Sequence, residues 1–378
     1  MKGVSGDPKL PLERSLRIAY SNAAYKKTDP RGRNAHIGQY IDQATASGHE
    51  IWTWPGDEHP SSLIIPINPI RQILTLRRMH ALYVRLQENP PRSCRYALFP
   101  YRQVINSPLM VWEFNTVPEF NIVMGKSEEY VYKAIQAFKY YGQGCDLAVC
   151  VSRSLANYVQ EKLGLQRVLV VPNGSDPDLF RPDLAPVRRV ERNPDHLNVV
   201  WIGSADLRWQ NFDLLQCAAE LLWQSENRLC IAFHLIGRQF GLMRDMPPNV
   251  HYYGADNYSA IPHWLAAMDV GLCLYHPGPA DYGSPLKLFD YLASGLAVVA
   301  TPQPQICEIY DKLGLSDLIV PGDDPAVLVD VLLKLAKDRQ RVHRIGSAGR
   351  QLVIETYNWR RAVKSIFDEI EALLKDRH

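Results

Sequence analysis

The chain has 378 residues, enough for two domains with separate cores. At 46% hydrophobic and 22% charged it has the makeup of a folded globular protein, which excludes a disordered or low-complexity chain. A formal net charge of +2 gives no global case for nucleic acid as a partner, and no run approaches about eighteen consecutive apolar residues, so no membrane-spanning helix is expected. The seven cysteines form no CxxC pair and read as reduced, mostly buried thiols. The start, MKGVSGDPKLPLERS, lacks the apolar run of a signal peptide, so a cytoplasmic protein is expected.

In chain order, LRIAYSN (16–22) reads as a strand, KKTDPRGRN as a loop, AHIGQYIDQATASG as a helix ended by Gly48, and HEIWTW as a second strand. Strand, loop, helix, strand is a βαβ unit and implies a parallel sheet. Residues 64–87 read as one helix, with Arg71, Arg78 and Arg85 spaced by seven beside Ile70, Ile73, Leu74 and Leu82. A basic stripe along an apolar one suits an anionic lipid surface; it equally suits a packed helix with a solvated face. YALFPY (96–101) and LMVWEFN (109–115) read as strands, 130–141 as a helix, DLAVCVS as a strand, SLANYVQEKLG as a helix, and RVLVVPNG closes the first half.

The following stretch is rich in proline and charge and reads as a linker over 175–196. Alternation then restarts. LNVVWIG, CIAFHLIG, VHYYG, DVGLCLY and DLIV (317–320) read as strands; NFDLLQCAAELLWQ, SAIPHWLAAM and PAVLVDVLLKLAKD read as helices; residues 342–376 are largely helical. The domains expected are therefore 1–174 and 197–359, with a final helix over 360–378 packing back on the first. Two doubly wound units facing each other bind ligands at the C-terminal ends of their strands.

The stretch DYGSPLKLFDYLASGLAVVAT (281–301) carries the clearest chemistry. Ser284 suits a helix N-cap and Pro285 the first helical position. Leu286 and Lys287 then have N–H groups free for an anion, and Lys287 adds a full charge. Leu286, Phe289, Leu292 and Ala293 make a buried stripe, with Lys287, Asp290 and Ser294 on the other face. The plain alternative is a capped helix with an exposed Lys–Asp pair.

With VVPNGSDPDLFRP in the hinge, SPLKLFDYLASG on this helix, and DLAVCVSRSLANYV, WIGSADLRWQNFDLL and DPRGRNAHIGQYIDQATASGHEI in order, the chain resembles the retaining glycosyltransferases of family four. That resemblance implies the GT-B fold, two Rossmann-like domains around a cleft. It implies transfer of a sugar from a UDP or GDP sugar to a hydroxyl of a glycan or lipid-linked acceptor, with no cofactor and no metal. It places Gly203, Ser204, Gly283, Ser284, Pro285, Leu286 and Lys287 at the donor phosphates and Asp290 at the ribose. Asp281 and Tyr282 fall at the donor sugar, and Glu113, Asn115, Gly32 and Arg33 on the acceptor side. Glu113 at a strand end either faces a substrate or is an ordinary paired acid.

Three departures stand out. Asp290 replaces the family's usual Glu, and Tyr282 stands where a Glu usually lies eight residues earlier. Ser204 and Gln210 stand where an Arg and a Lys usually neutralise the leaving diphosphate, so Arg208 in the same loop is the candidate replacement, with Lys287 the other catalytic cation. DPD at 176–178 belongs to the hinge and GDD at 322–324 opens a helix, so neither makes a metal site. A dinucleotide oxidoreductase lacks its G-x-G-x-x-G here. A non-catalytic nucleotide- or sugar-binding relative is the remaining alternative.

Overall fold

The structure, a computed structural model, describes residues 15–21, 32–54, 59–86, 108–187, 190, 195–238 and 246–377. Side chains of residues 32–35 lie outside that description, as do the 96–101 strand expectation and most of the KKTDPRGRN loop.

Two parallel sheets carry the molecule. The first contains β1 (Arg17–Ser21), β2 (Glu50–Thr53), β3 (Leu63–Ile64), β4 (Ala81–Leu86), β5 (Leu109–Phe114), β6 (Leu147–Cys150) and β7 (Val168–Val170), in the order β3-β2-β1-β4-β5-β6-β7. Its helices are α1 (Gly32–Ala46), α2 (Pro69–Leu76), α3 (Phe120–Val123), α4 (Glu128–Gly142) and α5 (Arg153–Tyr158). The second sheet contains β8 (Leu197–Ser204), β9 (Ile231–Arg238), β10 (Val250–Tyr252), β11 (Val270–Cys273) and β12 (Ala297–Ala300), in the order β10-β9-β8-β11-β12. With it come α6 (Phe212–Trp223), α7 (Ile261–Leu265), α8 (Leu286–Ala293), α9 (Pro304–Leu313), α10 (Pro325–Lys337) and α11 (Arg339–Glu355). In both sheets the first strand sits mid-sheet and the order reverses beside it, the doubly wound pattern that opens a crevice at the strand ends.

Each sheet is buried on both faces, which is why its strands read as near-continuous apolar runs. The long helix α12 (Trp359–Asp376) sends Val363, Ile366, Phe367, Ile370 and Leu373 into one core of the first sheet, against Tyr40, Tyr83 and Val111. The helical tail breaks at residues 356–358, where the chain returns to the hinge. There Ser175 N–H donates to Tyr357 O at 3.0 Å and Trp359 N–H to Ser175 O at 3.3 Å. Gly174 is needed at this crossing: a Cβ there would lie 2.7 Å from Tyr357 O.

Three sequence expectations change. Residues 64–87 are not one helix; α2 ends at Leu76 and ALYVRL forms β4 with all six residues buried. Its aromatic and β-branched residues favour a strand, and Arg85 is tolerated inside because it pairs with Glu113 directly across β5. Residues 317–320 make no full strand, only a 3₁₀ turn at Ser316–Leu318 and a single bridge from Ile319 to Ala300. Gly32 and Arg33 open α1 and do not lie in a preceding loop.

Candidate active site

The loops after β5, β6 and β7 meet the loops after β8, β11 and β12, so the strand ends of both domains face one another. Phe120 packs on Trp209 with ring centroids 4.8 Å apart, and Tyr158 on Tyr282 at 5.5 Å. Ser152 Oγ donates to Tyr282 O at 2.6 Å, and Gln305 Nε2 to Val151 O at 2.9 Å.

The mouth of α8 opens here, with a different cap from the one its sequence favours. The helix begins at Leu286, and Pro285 (φ −68°, ψ 109°) occupies the cap position with no side-chain hydrogen bond. Ser284 is engaged elsewhere. Its Oγ accepts from Asn173 N–H at 3.0 Å, and its carbonyl accepts from Asn173 Nδ2 at 2.7 Å. The hinge thus grips the residue that would otherwise close the helix, and the first N–H groups of α8 have no side-chain cap.

Lys287 stands beside that mouth. Its Nζ donates to Gln210 Oε1 at 2.9 Å and lies 4.9 Å from the centre of the Trp201 ring and 5.3 Å from that of Tyr275. Though the residue is half-buried overall, its ammonium is enclosed, and burial pulls its pKa down to about 8. Among the described residues no carboxylate forms an ion pair with it. Gly203 makes room for this arrangement, because a Cβ there would lie 2.3 Å from Gln210 Oε1 and 2.8 Å from the Trp201 ring. Gln210, one of the departures from the family pattern, is therefore the residue that holds Lys287.

Asp290 is not on an open face. Leu288 to Ala293 are all buried, and Asp290 is 7% exposed. It accepts from Ser175 Oγ at 2.6 Å and, at a long 3.4 Å, from Tyr258 OH. Burial pushes its pKa up to about 7, against the lowering effect of those hydrogen bonds. The alternative of an exposed Lys–Asp pair fails because Ser175 of the hinge and Tyr258 cover Asp290, and Ser294 is buried with it.

On the first domain, Glu113 is a paired acid. It is 2% exposed, and its Oε1 takes Arg85 Nη1, His36 Nε2 at 3.1 Å and Asn115 Nδ2 at 2.6 Å. Burial alone pushes the carboxyl up; Arg85 and then His36 outweigh it and hold it well below the usual carboxylate range. His36 is pulled down, by burial first and by Arg85 next, so it serves as a neutral donor. Beside this cluster lies a cavity of about 20 Å³, room for about one water, bordered by Tyr40, Tyr83, Asn173 and Trp359.

The remaining candidates are dispersed. Asp281 accepts from Gly278 N–H at 2.9 Å and caps its own turn. Tyr282 leans on the first domain. Gly283 O accepts from Gln303 Nε2 at 2.9 Å. Ser204 ends β8 half-buried, and Arg208 is exposed on the loop that follows. The structure thus gathers Gly203, Gly283, Ser284, Pro285, Leu286, Lys287 and Asp290 around one helix and puts Glu113 with Asn115 in a second cluster. Trp201, Tyr275, Ser175 and Tyr258 escaped the sequence reading, and Arg85, read as part of a basic helical stripe, is instead the buried partner of Glu113. Ser175 alone had a local signal, following the PNG hinge motif; the others look like ordinary core or strand residues.

Known proteins are similar in part of the sequence and in overall fold. Residues 196–338 match the family described as Glycosyl transferases group 1. Over 195 residues the chain is 28% identical to TuaH of Bacillus subtilis (strain 168), named as a teichuronic acid biosynthesis glycosyltransferase; the match covers 48% of this chain and 46% of that one. The chain thus aligns with about half the length of this curated relative. Sucrose-phosphate synthase from Thermosynechococcus elongatus superposes with a TM-score of 0.69 at 15% identity, over 96% of this chain and all of that one. HepE of Anabaena, solved with UDP and glucose, gives 0.65 at 13% identity over 94% and 100%. WaaG, a glycosyltransferase involved in lipopolysaccharide biosynthesis, gives 0.62 at 14% over 93% and 99%. Residues 196–338, which make up most of the second domain, thus match that family, and the chain as a whole shares the two-domain fold of these structures.

Proposed function

We propose that the chain is a retaining glycosyltransferase that moves a sugar from a UDP or GDP sugar to a hydroxyl of a glycan or lipid-linked acceptor, without metal or cofactor. The observation that carries this reading is the mouth of α8: uncapped N–H groups next to a desolvated ammonium whose partners are a neutral amide and two ring faces. A diphosphate supplies the negative charge that such a site lacks. HepE, of the same fold, is described in complex with UDP and with UDP-glucose.

In the reaction the bond from the sugar's anomeric carbon to the diphosphate oxygen breaks, and the acceptor oxygen bonds that carbon on the same face. The acceptor's proton passes to the departing phosphate. Lys287 and the helix dipole stabilise the charge growing on that phosphate. Arg208, exposed on the β8–α6 loop, is a second cation for the same charge once a donor is bound. Asp290 takes the ribose hydroxyls after exchanging its bond to Ser175. Glu113 orders the acceptor side through Asn115 and His36, while Gly32 and Arg33 at the start of α1 border it. Asp281 and Tyr282 border the donor sugar.

The protein works in the cytoplasm, at the inner face of the membrane. Ile67 (79% exposed), Ile70 (71%) and Leu74 (51%) are laid open with Arg71, Arg77 and Arg78, a combination suited to anionic lipid. Arg85 is not part of that surface. Among the described residues no helix is long and apolar enough to cross a membrane.

Calorimetric titration with UDP, GDP and ADP tests the reading, followed by donor turnover in EDTA with the product anomer assigned by NMR. Binding of one nucleotide and a product of retained configuration are expected. Binding without transfer to any acceptor or to water would make the chain a non-catalytic relative, and no binding at all would sink the proposal. Cosedimentation with anionic vesicles, lost on Ile70→Asp, checks the membrane contact.

A further inference from the structure

The local sequence and the tertiary structure disagree about how α8 starts. Ser284 followed by Pro285 is a favourable N-cap and first helical residue. With Ser284 as cap, its Oγ would accept from the N–H of Leu286 or Lys287. The structure forgoes that bond. Asn173 holds Ser284 twice, through its backbone N–H to Oγ and through its side-chain amide to the carbonyl, and Pro285 stays extended at ψ 109°. Asn173 is itself 6% exposed and reaches from the hinge just after β7, 111 residues away in the chain. A local preference overruled by a long-range contact, next to an enclosed ammonium, is the kind of conflict expected where a site is being kept open.

We infer that Asn173 is a positioning residue that keeps the mouth of α8 uncapped, so that the N–H groups of Leu286 and Lys287 stay available to the diphosphate of the donor. This rests on the nucleotide-sugar reading above and adds the hinge to it. The hinge does more than join the domains: it withholds a competing hydroxyl from the anion site. Asn173 need not touch the donor. Loss of its amide frees the Ser284 carbonyl, so that Pro285 can turn helical and carry the hydroxyl off its one remaining bond, from the backbone N–H of residue 173, to the helix start.

The test is a cycle of Asn173→Ala and Ser284→Ala in the full chain. Amide hydrogen exchange without nucleotide reads the cap directly. In the wild type Leu286 and Lys287 should exchange fast although the helix behind them is buried. Asn173→Ala should slow both several-fold, and should have no such effect once Ser284 is Ala, since no hydroxyl remains to cap. UDP or GDP affinity, whichever the wild type prefers, should fall about fivefold on Asn173→Ala, the weight of one Ser cap, and by less than about twofold when the same change is made in Ser284→Ala. Equal losses in both backgrounds would mean that Asn173 is merely structural and would overturn the inference. So would protected Leu286 and Lys287 amides in the wild type. If Asn173→Ala fails to fold, Asn173→Ser, which keeps a short polar side chain, enters the same cycle. A wild type with the expected exchange but no nucleotide affinity would overturn the donor reading and the purpose assigned to Asn173, leaving the exchange pattern as a structural fact.

Discussion

Two buried polar clusters, one at Glu113 in the first domain and one on α8 in the second, treat their charges in opposite ways. Glu113 meets a full opposite charge, Arg85, on the neighbouring strand, plus donors from His36 and Asn115. Its carboxyl is held ionised far below its ordinary range. Among the described residues Lys287 and Asp290, one turn apart on α8, hydrogen-bond only to neutral groups: Gln210, with two rings beside it, for one, Ser175 and Tyr258 for the other, where the nearby Asp176 carboxylate adds a like charge. Both are moved toward their uncharged forms, Lys287 down to about 8 and Asp290 up to about 7. The difference teaches how to separate structure from readiness. A buried charge with its counter-charge in place is complete; Lys287, without one, suits an anion, while Asp290, moved toward its neutral form, suits hydroxyl groups on the proposed reading.

The largest effect should come from breaking the complete cluster. Glu113→Ala leaves Arg85 buried without its counter-charge and should cost about 3–5 kcal/mol of stability, read from chemical denaturation. A loss below about 1 kcal/mol would mean that the pair is not buried in solution. Lys287→Met should do the reverse. Stability should hold or rise, because a desolvated charge is removed, while nucleotide affinity falls by about 2–3 kcal/mol, the weight of a charge-assisted bond. If affinity is unmoved, Lys287 is not the phosphate ligand. Gly174→Ala should cost about 1–3 kcal/mol by forcing the hinge away from Tyr357.

pH separates the two α8 groups. Asp290 keeps a proton in the folded protein that the unfolded chain has already lost, so its contribution to stability should shrink as pH rises from about 4 to about 7 and level off above. Asp290→Asn should flatten that limb in denaturation midpoints taken across the window. Lys287 is depressed, so between about 8 and about 10 its contribution should rise with pH, while nucleotide affinity weakens over the same range as the ammonium is lost. The smallest effect expected is that of Ser175→Ala, about 1 kcal/mol, with the Asp290 limb moving to higher pH because a bond to the carboxylate is gone.

Much of this architecture was legible because periodicity is local. LNVVWIG, DVGLCLY and CIAFHLIG are short apolar runs between turn signals, and each became a buried parallel strand. The 64–87 stretch misled because a strand with one inward Arg has the same composition as a basic amphipathic helix; only Glu113, 28 residues on, tells them apart. The SPLK helix was found, and its Lys was singled out, from spacing and motif alone. What surrounds it was not, since Trp201, Tyr275 and Tyr258 carry no mark that separates them from any buried aromatic.

By itself, then, the sequence determined two αβα units, a hinge, and a helix whose first turn carries a Lys and whose next carries an Asp. Tertiary structure decided what those residues do. It turned Ser284 away from its own helix, buried Asp290 under Ser175, and set Lys287 between two rings. The physical reason is distance along the chain. Capping, turn and strand preferences act over a few residues and amount to about 1 kcal/mol each, so they are readable in a window. Desolvation and hydrogen bonds from segments more than a hundred residues away outweigh them, and no window contains both partners.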